Sequence, residues 1–150
     1  MITEYLLVKF LHILIGILAL GTSAGLGIVL EFYGDHPTHG AFLLRAIKRV
    51  VTFFVIPGYL LMLVSGLWMA NLTWPLTTRW IQAALVLWGI GLVLLSMSLA
   101  VLRGQLRLME AGGVATSSYR RLSIFGRGLG AGSGLVVIVI LYLMVFKPGL

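Results

Sequence analysis

The sequence predicts an all-α membrane protein: a four-transmembrane-helix bundle running up-down-up-down, with both termini on the non-cytoplasmic side. Three observations predict it. Of the 150 residues, 60% are hydrophobic and only 10% are charged, whereas a soluble domain is about half apolar and a quarter charged. Four apolar runs, at about 5–30, 50–70, 80–101 and 128–146, each reach the roughly 20 residues that cross a bilayer. The Lys and Arg residues gather in two of the connecting segments. All four runs should be helices, because lipid offers no partner for an unpaired backbone group. The length suffices for a single integral membrane domain.

The first run contains "YLLVKFLHILIGILALG". It is too long for the apolar core of a signal peptide, and Glu4 stands where a basic segment would precede one. It is therefore expected to remain as a span. His12 lies within it. Gly16, Ala19, Ser23 and Gly27 rise above His12 on one helical stripe, while Leu14, Ile17 and Leu18 lie off it. This small, polar stripe turns His12 toward the bundle interior. At 1.5 Å per residue, its separation from Glu4 puts it about 12 Å in from the outer surface. A histidine at membrane depth is by default a candidate functional residue. Two readings stay open. One is a neutral imidazole hydrogen-bonded across helices, to Ser65 or to a carbonyl freed by Pro57. The other is a ligand to haem iron or another metal.

The segment 31–49 carries Arg45, Lys48 and Arg49, and also "YGDHPTHG". There His36, His39 and Asp35 invite a metal reading, but Pro37 removes any fixed helical spacing, so a solvated loop is expected. The second run reads "VIPGYLLMLVSGLWM". Pro57 should kink it, and Gly58, Met62, Ser65 and Met69 share one face. Met62 is a candidate second axial ligand, but filling a gap in the core is the more ordinary role of a thioether and the favoured reading.

The short, uncharged "NLTWPLTT" should make the second and third runs an antiparallel hairpin. Trp68, Trp74 and Trp80 gather around it, with Tyr5 and Tyr142 near the same level, and read as an interfacial belt rather than a ligand cage. On the third run, Gln82, Gly89 and Ser96 share a face expected to point inward. The segment 102–127 holds Arg103, Arg107, Arg120, Arg121 and Arg127. The fourth run opens "GRGLGAGSG". Gly126, Gly130 and Gly134 form one four-residue row, and Gly128 and Gly132 a second. Such rows let helices approach closely, either within the chain or against a second copy or another membrane subunit.

Orientation follows from the charges. The segments 31–49 and 102–127 hold eight Lys and Arg residues, and the opposite side holds Lys9, Arg79 and Lys147. The positive-inside rule puts the two basic segments in the cytoplasm. The net charge of +7 thus marks topology rather than nucleic-acid binding. Absence of cysteine excludes disulfides, thiolate metal sites and thiol nucleophiles. Glu4, Glu31, Asp35 and Glu110 all lie at span ends or in loops, which argues against an ion-coupled pump. No phosphate-binding glycine loop, nucleophile elbow or His-Glu-x-x-His motif is present. No catalytic residue emerges.

Together, "YLLVKFLHILIGILALG", "IPGYLLMLVSGLWM" and "PLTTRWIQAALVLWGIGLVLL" resemble the bacterial "predicted integral membrane protein" family of unknown function, over most of the chain. That implies the bacterial cytoplasmic membrane. The layout is more distantly similar to the HemJ-type protoporphyrinogen oxidases, which are small four-helix membrane proteins with a K-x-L-H start and a P-G…G-L-W second span. This resemblance implies haem b or porphyrin chemistry, with His12 as the matching key histidine. Where those proteins open the third span with a W-L-H-A-K-like segment, this chain has Trp80, Ile81, Gln82, Ala83 and Ala84. The histidine and lysine of that motif are lost. Haem binding then falls to His12 alone, or to His12 with a partner such as Met62, for electron transfer or porphyrin handling. The alternative is a non-catalytic accessory or scaffold subunit of a larger membrane complex.

Overall fold

The computed structural model describes residues 2–34, 36, 39–112 and 116–148. Among these residues there is no strand. Four helices are long and apolar enough to cross a membrane: α1 (Ile2–Tyr33), α2 (Gly40–Asn71), α3 (Arg79–Glu110) and α4 (Ser117–Phe146). Each has at least 30 residues, about 45 Å of helix against about 30 Å of hydrocarbon. The excess explains one departure from the sequence reading. Most of 31–49 and 102–127, expected as loops, is helical.

Those extensions are amphipathic. Leu44 and Ile47 of α2 meet Leu99, Leu102, Leu106 and Met109 of α3 and Tyr119 of α4 in the largest buried cluster. Arg45, Arg49, Arg103 and Arg107 on the same helices face outward. The Tyr119 hydroxyl donates to the Gly34 carbonyl at 3.2 Å, tying the α1 end to this core. Arg45 bridges to Glu110 at 2.8 Å, both exposed. We refer to this as the basic end. α3 stops at Gly112, whose left-handed φ of 74° favours glycine. α4 starts at Thr116, whose side chain accepts from the Tyr119 backbone N–H.

α2 is interrupted by a π-helical turn, Val51–Val55. Pro57 has no N–H to offer the carbonyl four residues back. The distortion expected from Pro57 takes this form, a widened turn just before it.

The helices associate as two pairs, α1 with α2 and α3 with α4. The α1–α2 seam is closely packed at the stripe foreseen for α1. A Cβ on Gly58 would lie 2.6 Å from the Ala19 Cβ. The pairs meet at the basic end and again at the opposite end, where Ala70, Trp80 and Ile81 form a second buried cluster with Trp74, Leu85 and Met144 around it. Between these two clusters the pairs enclose two cavities, separated by a contact between Tyr59 of α2 and Trp88 of α3. The outer surface is apolar, with Phe10, Ile17, Phe53, Val86, Leu135 and Val145 all exposed. Lipid suits such a surface and water does not.

Two inward faces differ from expectation. On α3, Gln82 and Ser96 are exposed and Gly89 meets nothing within 4 Å. Ile81, Ala84, Gly91 and Leu99 are buried instead. Ser96 donates to the Leu92 carbonyl at 2.8 Å within its own helix, so it needs no inward position. On α4 the glycine rows split. Gly126 and Gly132 approach Val101 and Leu94 of α3, while Gly128, Gly130 and Gly134 face open space.

Candidate functional site

The α1–α2 seam fixes His12. The residue is 6% exposed, and its Nδ1 lies 2.8 Å from Ser65 Oγ. That hydroxyl also lies 2.8 Å from the Leu61 carbonyl and 3.2 Å from the Met62 carbonyl. A hydroxyl has one proton to give. Given to a carbonyl of its own helix, it leaves the oxygen to accept from Nδ1–H of His12. This network favours the tautomer with Nδ1 protonated and Nε2 left as the acceptor. Nε2 is buried and has no partner among the described residues. Gly66 makes room for the ring, because a Cβ there would sit 3.1 Å from His12 Cε1. One rung along, Gly16 does the same for Met62, whose Cε would lie 3.3 Å from a Cβ at Gly16. His12 and Met62 therefore occupy neighbouring rungs of one seam, not opposite walls.

His12 and Met62 line a cavity of about 670 Å³ between the helix pairs, within the range of cofactor sites. Its walls are almost wholly apolar. Its outer end is formed by Tyr5, Trp74, Trp80 and Lys147, with Lys9 also on the lining. Trp74 meets Trp80 edge-on at 5.5 Å, and Lys147 Nζ lies 4.1 Å from the Trp74 ring centroid. Trp80 is buried, and its indole N–H has no partner among the described residues. Two of the tryptophans expected in an interfacial belt therefore also line the cavity. Trp68 remains outside, its indole donating to Glu4 at 3.3 Å, while Trp74 and Trp80 turn inward. A cation over the ring face supplies the physical reason: Lys147 leaves α4 in a left-handed conformation, φ 43°, and sits against both rings.

The inner end of the cavity is closed by Tyr59 and Trp88. Their rings stack at 5.1 Å and 20°. The Tyr59 hydroxyl donates to the Trp88 carbonyl at 2.9 Å, and the Trp88 indole returns a bond to the Tyr59 carbonyl at 3.4 Å. Gly91 leaves the space the phenol fills, since a Cβ there would collide with its hydroxyl. Sequence reasoning missed this bridge. The available signal was an aromatic pair deep in two spans, away from the interface where Tyr and Trp collect.

Gln82 is exposed, whereas Ala84 lines the cavity. His36 and His39 are exposed, with rings stacked at 5.0 Å and the His39 N–H donating to His36 Nδ1 at 3.3 Å. Asp35 lies outside the described residues. Among the described residues no group of three or more His, Cys, Asp or Glu side chains is placed to hold a metal ion.

Four membrane-length helices around an apolar cavity, with one inward histidine, define a small polytopic α-helical membrane protein. Residues 6–148 match the family described as predicted integral membrane protein (DUF2269). The chain belongs to that family. No curated protein and no solved structure matches it, so the HemJ-type resemblance draws no support from either comparison.

Proposed function

We propose that the protein binds haem b or a related porphyrin in the cavity beside His12, for electron transfer or porphyrin handling. One observation carries this reading: His12 and Trp80, whose buried nitrogens Nε2 and Nε1 have no partner among the described residues, both line the same apolar cavity. A buried polar atom left unpaired is costly, and a porphyrin answers both. His12 would hold the iron through Nε2, with Ser65 orienting the ring from the other side. The Trp80 N–H and the cations of Lys9 and Lys147 would suit carboxylate side chains at the outer end. Bound haem supplies one-electron chemistry. Met62 packs against Gly16 on the same wall as His12, so it fills the seam rather than facing the histidine. With Gln82 off the cavity, no oxidase reaction is assigned. The positive-inside rule supports a cytoplasmic basic end and a cavity opening toward the non-cytoplasmic leaflet of a bacterial inner membrane.

The test is an absorbance spectrum of protein purified from haem-replete cells. A Soret band that disappears in His12→Ala, with helical content unchanged, supports the proposal. A colourless wild-type protein overturns it. A second reading, an accessory subunit of a larger assembly, rests on the open space at Gly130 and Gly134. A native mass equal to several chains, reduced to one by Gly134→Leu, would favour it.

A further inference from the structure

A second cleft, of about 660 Å³, lies on the basic side of the Tyr59–Trp88 bridge. Ala24 and Gly27 of α1 face Gly130 and Gly134 of α4 across it. Gly27, Gly130 and Gly134 meet nothing within 4 Å. Ile28 and Ile138 line the cleft and are 61% and 64% exposed, so it opens sideways to the bilayer.

At the basic end its chemistry changes. Gln105 of α3 lines the cleft, is only 5% exposed, and makes no hydrogen bond among the described residues. Its amide is not sealed off, so it can meet a group that enters the cleft. Arg127 of α4 lines the same end, and its Nε bonds Glu31 of α1 at 3.1 Å. Arg103 and Arg107 flank Gln105 in sequence, and Arg120 and Arg121 begin α4 nearby.

We propose that this cleft holds one anionic phospholipid, its phosphate at Gln105 and Arg127 and its acyl chain in the small-residue groove. Three features select that occupant. The polar head of the cleft lies at the basic end, and the groove between it and Tyr59 is lined mainly by apolar and small residues, Ser23, Ser98 and Ser133 among them. Arg127 lines that end paired with Glu31, and the exposed Arg103, Arg107, Arg120 and Arg121 around it give the surface there a positive field that favours an anionic headgroup. The cleft's open side bears on the bilayer, so a lipid chain can enter it laterally. A soluble anion would use the head and leave the groove empty.

The experiment is native mass spectrometry of the detergent-purified full chain with phosphatidylglycerol or phosphatidylcholine added. One phosphatidylglycerol per chain should be retained, at least about tenfold more tightly than phosphatidylcholine. Gln105→Leu should weaken retention at least about tenfold, the equivalent of one charge-assisted hydrogen bond. Gly130→Leu should fill the groove and weaken it similarly, while leaving the wild-type unfolding midpoint. Equal retention of the two lipids, or wild-type retention by both variants, overturns the proposal in favour of annular lipid. Displacement by inorganic phosphate overturns it in favour of a free-anion site. A dimer that Gly130→Leu dissociates overturns it in favour of a helix from a second copy.

Discussion

Gly58→Ala should loosen the α1–α2 seam, and its cost can be worked from the structure. The new methyl would lie 2.6 Å from the Ala19 Cβ, whereas carbon pairs rest at about 3.5–4.0 Å. The helices must part by about 1 Å there. Overpacking of this kind costs about 1–3 kcal/mol, and alanine recovers up to about 1 kcal/mol through helix propensity. A net loss of about 1–2 kcal/mol is expected in detergent-mixture unfolding followed by far-UV circular dichroism. Ala19→Gly in the same background should restore most of it, because the two methyls clash with each other and with little else. Gly21→Ala is the control: it meets nothing within 4 Å and should be neutral or slightly stabilising. Wild-type stability in Gly58→Ala, or no rescue by Ala19→Gly, would refute this packing.

Three further outcomes follow from the same contacts. Tyr59→Phe removes the hydroxyl that reaches the Trp88 carbonyl at 2.9 Å and should cost about 0.6 kcal/mol, up to about 1.7, in the same unfolding assay. Gly91→Leu occupies the space of that phenol and should destabilise more than Tyr59→Phe, with a gain in Trp88 fluorescence mobility. Arg45→Ala breaks an exposed pair with Glu110 and should cost less than about 1 kcal/mol, shrinking further in high salt.

Much of the fold was legible because lipid simplifies the problem: long apolar runs must be helices, and glycine spacing marks close contact. The inward turn of His12 and its Ser65 partner were both readable from the small stripe on α1 and the Ser65 face of α2. The helical extensions at the basic end were not, because charged residues there mask an apolar stripe of Leu102, Leu106 and Met109 that only becomes a core when Leu44, Ile47 and Tyr119 arrive from elsewhere in the chain. The face of α3 was misread for a related reason. A serine in a membrane helix can satisfy itself, as Ser96 does, so polarity alone does not mark the inside. The roles of Tyr59, Trp80 and Gln105 depend on which side chains are left without partners, and pairing across helices is a property of the assembled bundle.

The central proposal is that His12, on the cavity wall, would hold a haem iron through Nε2. It is tested most directly by chemical rescue. His12→Gly removes the imidazole but keeps the space around it, and protein purified from haem-replete membranes should lack the Soret band. Free imidazole added to that variant with haem should restore a histidine-type spectrum. A wild-type protein without pigment, or a Soret band that survives in His12→Gly before imidazole is added, would contradict the account.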